Sequence, residues 1–223
     1  MRIAVIGAGH IGGNAARLLA AAGHDVVISY SRDPERLTTL AGQIGAQAAS
    51  PSAAAAHADV VVLSVPWAVV DPALAAAGGP EALAWRVVID TTNQFGQVDG
   101  QFAVLSLGGE SAARANARKA PGARWAKAFN TLTAGFQAAS AGRTGPDRVV
   151  LFYATDDDSA GPVVEQVITD AGFDPVRSGT LDLNDVGHQE PKGDLYGEEF
   201  HREAALAAVT RLRGTPPSGR GRP

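Results

Sequence analysis

The chain contains no cysteine. Disulfides, thiolate metal sites, iron–sulfur clusters and a cysteine nucleophile are thereby excluded, and any redox chemistry has to come from a bound cofactor. Charge is also sparse. With 19% charged residues and a net charge of −4, the sequence lacks the basic footprint of a nucleic-acid or acidic-membrane binder. Long apolar runs are missing as well, since none reaches the roughly 18 uncharged residues of a spanning helix. Arg2 and the apolar stretch after it faintly imitate a secretory signal, but Gly7, Gly9, His10, Gly12, Gly13, Asn14 and Arg17 break any continuous apolar segment. The expected setting is the cytoplasm, with no membrane partner. Metal ligands are equally hard to assemble: the five histidines, His10, His24, His57, His188 and His201, show no metal spacing. Neither a G-x-S-x-G elbow nor a pair of catalytic carboxylates appears.

What the chain does have is glycine in one telling place. MRIAVIGAGHIGGNA runs from an apolar strand into Gly7, Gly9 and Gly12, the G-x-G-x-x-G spacing, and then into a helix beginning near Ile11. Gly7 permits a tight turn, Gly9 admits a pyrophosphate to the backbone, and Gly12 lets helix and strand approach. The helix N-terminus offers free N–H groups and the positive end of its dipole.

The next strand, DVVIS, ends at Tyr30, Ser31 and Arg32, where a dinucleotide site selects its cofactor. An acidic residue there would hold the ribose hydroxyls of NAD, whereas Ser31 and Arg32, with Arg36 four residues on, suit the 2′-phosphate of NADP(H). Arg32 also reads as a surface charge, and Asp33 reads as the cap of a helix opened by Pro34 or as a ribose contact.

ADVVVLSV has the continuous branched character of a strand buried on both faces, and it ends at Ser64, Val65, Pro66 and Trp67. Trp67 belongs either to the core or to the wall of a nicotinamide pocket. RVVID supplies another strand followed by Thr91, Thr92 and Asn93, which serve either as turn formers or as ligands for a nicotinamide amide or second molecule. Residues 94–107 show no period and read as a long connection, a lid or binding loop. A helix over 110–119 precedes the strand RWAKAF, which ends at Asn130; Lys127 within it reads as a catalytic lysine or, as its place in a strand favours, as a side chain facing solvent or a phosphate. VVLFYA is a further strand, and Asp156, Asp157 and Asp158 after it read as helix-capping acids in preference to a metal site. A last strand covers 173–177 and a last helix 198–212, its apolar face equally suited to a second subunit, giving a homodimer, or to its own sheet.

These elements predict an α/β fold: a Rossmann-type, doubly wound, mainly parallel sheet of order 3-2-1-4-5-6, extended by extra strands, with a small C-terminal helical segment. The expected organisation is an NADP-binding domain over 1–180, a small segment over 181–213 packed on it, and a flexible tail over 214–223.

Taken together, VIGAGHIGG, SYSRDPER, ADVVVLSVPW, RVVIDTTN, WAKAFNTL and VLFYATDDDSAG resemble the F420-dependent NADP oxidoreductase family over most of residues 1–180. The resemblance implies hydride transfer between NADP(H) and the deazaflavin F420 or a related flavin. It implies further that Gly9, His10 and Ile11 meet the pyrophosphate, Ser31, Arg32 and Arg36 the 2′-phosphate, and Val65, Pro66 and Trp67 the nicotinamide. Ala128, Phe129 and Asn130 match the edge that receives the second cofactor. Residues 181–200, LDLNDVGHQEPKGDLYGEEF, depart from the family in being shorter and more polar. That departure motivates the alternative of a non-catalytic NADP(H)-binding redox sensor.

Overall fold

The computed structural model describes residues 1–30 and 33–219. The chain opens with β1 (Arg2–Ile6), α1 (His10–Ala21), β2 (Asp25–Ser29), α2 (Pro34–Ile44), β3 (Gln47–Ala48), α3 (Pro51–His57) and β4 (Val60–Leu63). A 3-10 turn over Trp67–Val69 leads into α4 (Val70–Ala76), α5 (Gly79–Leu83) and β5 (Val87–Asp90). β6 (Phe95–Val98) and β7 (Gln101–Val104) pair with each other, and α6 (Ala112–Ala117) and β8 (Arg124–Ala128) follow. The remainder is α7 (Ala134–Ser140), β9 (Val150–Thr155), α8 (Gly161–Asp170), β10 (Asp174–Gly179), α9 (Leu183–Val186) and α10 (Arg202–Leu212).

Eight strands form one sheet of order β10-β9-β8-β5-β4-β1-β2-β3. From β3 to β8 all pairings are parallel, which is the expected doubly wound order. β9 then runs antiparallel to β8, and β10 parallel to β9, so the extension reverses direction once.

Sequence and burial agree on why the centre is where it is. Every residue of β4, VVVL, is buried, as a strand covered on both faces requires, and each such side chain contributes roughly 1.5–3 kcal/mol of transfer free energy. One core, with Ile3, Val5, Val62, Ile89 and Leu151, lies against Leu19 of α1, Leu37 of α2 and Val164 of α8. The other, with Ile6, Val61, Leu63, Val88 and Trp125, lies against Ala54 of α3, Leu74 of α4, Leu83 of α5 and Ala113 of α6. Helix α10 packs Ala205, Ala208 and Val209 on Phe152 and Val176, so it covers its own sheet.

Several expected elements change. Residues 94–107 are not a structureless connection: Asp99 and Gly100, at φ 50° and 77°, make the tight turn of the β6–β7 hairpin. The helix expected over 110–119 is cut to Ala112–Ala117 by its cap, Ser111, whose Oγ accepts from Arg114 N at 3.0 Å. The last helix starts at Arg202, and α5, α7 and α9 are additions to the expected pattern.

Candidate functional site

The glycine loop joins β1 to α1 at the point where β2 and β4 flank β1 on opposite sides, the topological switch point of the sheet. Gly7 sits at φ +117°, and a Cβ there would lie 2.0 Å from the Ser64 carbonyl oxygen. A Cβ on Gly12 would lie 2.0 Å from the Gly7 carbonyl oxygen. Both glycines are therefore demanded by the fold itself. Gly9 differs: its φ of −77° suits any residue, and a Cβ would meet nothing within 4 Å among the described residues. It is the N-cap of α1, where no side chain caps the helix and no acidic residue occupies the first turn. His10 and Gly9 are exposed and Ile11 is half-buried. The result is an open, positively polarised helix end beside a glycine that the protein interior does not require.

Around this opening the strand ends converge. Thr91 Oγ1 donates to Ser64 Oγ at 3.0 Å, tying the ends of β5 and β4 together. Val65 is buried in the core, Pro66 is exposed, and Trp67 is half-exposed at the start of the 3-10 turn, so Trp67 is not the core residue that its type suggests. β6 packs against that turn. On the other side, β2 ends at Tyr30, held at φ 62°. Ser31 and Arg32 lie outside the described residues. Asp33 caps α2, its Oδ1 accepting from Arg36 N at 3.0 Å, while Arg36 is exposed in the first turn.

The ends of β5 and β8 carry most of the buried polarity. Lys127 is 0% exposed and Asp90 1%; Lys127 Nζ donates to Asp90 Oδ2 at 3.0 Å and to the Thr92 carbonyl. The expectation that Lys127 faces solvent or a phosphate is thus corrected. Register explains it, because Asp90 pairs directly with Lys127 across β5 and β8. Asn116 of α6 donates to Asp90 Oδ2 and Thr92 Oγ1, both at 3.0 Å, and Thr92 N donates to Asp90 Oδ1 at 2.8 Å. A desolvated ion pair is tolerable only with its remaining groups satisfied in this manner.

One residue further along, Asn93 and Asn130 embrace. Asn93 Nδ2 donates to Asn130 O at 3.0 Å, and Asn130 Nδ2 donates to Asn93 Oδ1 at 3.1 Å. The side chains of Ala128 and Phe129 point into the core, leaving only backbone at this edge. Phe129 takes φ 61°, and its carbonyl accepts from Gln137 Nε2 at 3.1 Å, which holds an otherwise costly conformation.

The segment after α9 completes the rim, a contribution that its polar sequence conceals. Asn130 Nδ2 donates to Gln189 O at 2.6 Å, Gln189 Nε2 donates to Lys127 O at 3.2 Å, and Gly197 N donates to Thr131 O at 2.9 Å. Glu190 accepts from Ala112 N at 3.0 Å and Ala113 N at 2.9 Å, anchoring the segment to α6. Burial raises the Glu190 carboxyl above the usual carboxylate range, against the opposing pull of Lys127 and the two amides. Tyr196 meets Asn93 across the rim. His188, in contrast, is buried between Asp194 and the Thr215 carbonyl at 2.8 and 2.9 Å, so it does not approach a ligand.

The three adjacent aspartates divide their work. Asp156 pairs with Arg114, Asp157 Oδ1 accepts from Ser159 N and Ala160 N at 2.8 and 3.0 Å ahead of α8, and Asp158 meets Arg177 at 2.9 Å. Among the described residues no group of three His, Asp or Glu side chains is placed to hold a metal ion, and no helix is long and apolar enough to cross a membrane.

The residues present suit a dinucleotide: the helix end is uncapped, Gly9 leaves room at the backbone, and Asn130 Oδ1 is a buried acceptor without a partner among the described residues. Fold and site together define a Rossmann-like, nucleotide-binding type of α/β protein. Its likenesses are to NAD(P)-binding oxidoreductases. The family described as NADP oxidoreductase, coenzyme F420-dependent, matches residues 2–94. A hypothetical protein from Sinorhizobium meliloti is 29% identical, with a TM-score of 0.78 over 91% of this chain and 96% of its own. A protein from Arthrobacter sp. FB24, named provisionally as an F420-dependent NADP reductase, is 27% identical, with a TM-score of 0.71 over 81% of this chain and 86% of its own. The 3-hydroxyisobutyrate dehydrogenase of Mycobacterium tuberculosis, 20% identical with a TM-score of 0.59 over 80% of this chain and 54% of its own, shares the fold. No curated protein matches the chain.

Proposed function

We propose that this protein is an NADP(H)-dependent oxidoreductase that moves a hydride between NADP(H) and the deazaflavin F420 or a related flavin. The observation that carries the proposal is the open N-terminus of α1 at Gly9, set at the switch point of the sheet, with Asn93 and Asn130 at the next strand ends outward. The amides at Gly9, His10 and Ile11 would hold the pyrophosphate, and Gly7 and Gly12 shape the loop that presents them. Ser31, Arg32 and Arg36 would take the 2′-phosphate. Ser64, Val65, Pro66, Trp67 and Thr91 would border the nicotinamide, and Asn93 with the backbone of Ala128, Phe129 and Asn130 would face the second ring.

NADPH supplies the hydride when bound. The chain's part is to stack two rings at contact distance, fix the face presented and keep water out; the transfer itself needs no protein acid or base. That division of labour agrees with a site whose charged residues, Asp90, Lys127 and Glu190, are all engaged in holding structure. The likeness of residues 2–94 to the F420-dependent family supports the choice of acceptor.

Purified protein mixed with NADPH and F420, followed by deazaflavin absorbance, tests the reading; reduction of F420 or of a flavin is expected. Tight NADPH binding with no turnover of F420, FMN or FAD would refute it and favour the redox-sensor alternative.

A further inference from the structure

One side chain on the rim has a hydroxyl proton with no acceptor among the described residues. Tyr196 follows α9 in a segment pinned to the sheet edge by Gln189, through Asn130 and Lys127, and by Gly197, through Thr131. Its ring is half-buried, and its oxygen accepts one long bond, from Asn93 Nδ2 at 3.4 Å. A phenol that only accepts still has its O–H to give. Burial raises its pKa above the ordinary phenol value, so it keeps that proton through neutral pH.

Position decides what receives the bond. In the sheet the order runs β1, β4, β5, β8, and α1 begins at the end of β1. A dinucleotide whose pyrophosphate rests on α1 extends its nicotinamide across the end of β4, where Pro66 and Trp67 stand. The ends of β5 and β8, carrying Asn93, Asn130 and, against them, Tyr196, lie one step further out. We infer that Tyr196 is a specificity-determining residue for the hydride acceptor, its O–H donating to a ring carbonyl of a planar heterocycle seated beyond the nicotinamide. The inference rests on the proposed oxidoreductase reading and narrows it. A neutral donor held at a half-buried rim selects a conjugated ring carbonyl, as in the pyrimidinedione of flavins and deazaflavins. The phenol donates a hydrogen bond and retains its proton, so it adds no step to the transfer.

The test is Tyr196→Phe, which keeps the ring and its packing, assayed with NADPH and either F420 or FMN, whichever the wild-type chain reduces. The KM for the acceptor is expected to rise roughly three- to tenfold, the net range of one neutral hydrogen bond. The KM for NADPH, kcat at saturating acceptor and Tm stay unchanged, a split that a merely structural tyrosine would not produce. An unchanged acceptor KM overturns the inference and leaves the oxidoreductase reading standing. So does an equal loss for NADPH, which would place Tyr196 on the nicotinamide carboxamide. A wild-type chain that reduces neither acceptor overturns the reading and this inference together.

Discussion

Lys127→Met removes the ammonium from a pair in which both partners are buried, at 0% and 1% exposure, and 3.0 Å apart. Asp90 would keep the Thr92 amide and Asn116, but its charge would stand uncompensated, and the Thr92 carbonyl would lose the same donor. Removing one partner from such a pair costs roughly 3–5 kcal/mol, several times the value of an exposed ion pair. For a chain of this size each kcal/mol moves Tm by roughly 2–4 °C, so a fall of roughly 6–20 °C is expected. The double variant Asp90→Asn with Lys127→Met leaves no unpaired charge and should recover at least half of the loss, as coupling between touching residues requires. Urea unfolding followed by circular dichroism measures both, with equal m-values confirming that the denatured states are comparable. A cost below about 1 kcal/mol for Lys127→Met would refute the burial argued for this pair.

Two other perturbations test the neighbouring parts of the site. Because the folded-state carboxyl of Glu190 titrates above its ordinary value of 4.5, its contribution is full below that pH and is lost as pH rises through the folded value. Glu190→Gln does not titrate, so its stability deficit against wild type should shrink as pH rises above 4.5 in denaturant titrations; a deficit that grows with rising pH would contradict the sign. Arg32→Ala should weaken NADPH by on the order of tenfold or more and leave NADH nearly unchanged in fluorescence titrations, since a charge-assisted arginine–phosphate contact is lost only for NADPH. Equal loss for both cofactors removes Arg32 from the 2′-phosphate.

Much of this architecture is legible in local sequence. The glycine spacing, the branched run of β4, and Asp33 with Pro34 ahead of α2 each announce their element, because the determinant lies within a few residues of the structure it sets. The hairpin over 95–104 was missed, although Asp99-Gly100, a dipeptide suited to positive φ, marks its turn. Lys127 was not legible, because a lysine in a strand betrays its orientation only when the pairing strand offers Asp90 at the same register. Residues 181–197 were the hardest. Their polar side chains satisfy backbone groups of distant elements, as Glu190 does for α6 and Gln189 for β8, and no period in the segment encodes partners so remote. Hence the glycine loop reads directly from the chain, whereas the rim set by Gln189 and Tyr196 needs the fold.

The bare helix end at Gly9 is the proposed seat of the dinucleotide. Titration of NADPH into wild-type protein and into Gly9→Val tests it most directly, because a Cβ there meets nothing within 4 Å among the described residues and the substitution should shift stability by no more than about 1 kcal/mol. Wild type is expected to bind NADPH, and Gly9→Val, with an almost unchanged Tm, to bind it at least about tenfold more weakly, the new side chain blocking the approach of the pyrophosphate to the backbone. Equal affinity in the two proteins would contradict it.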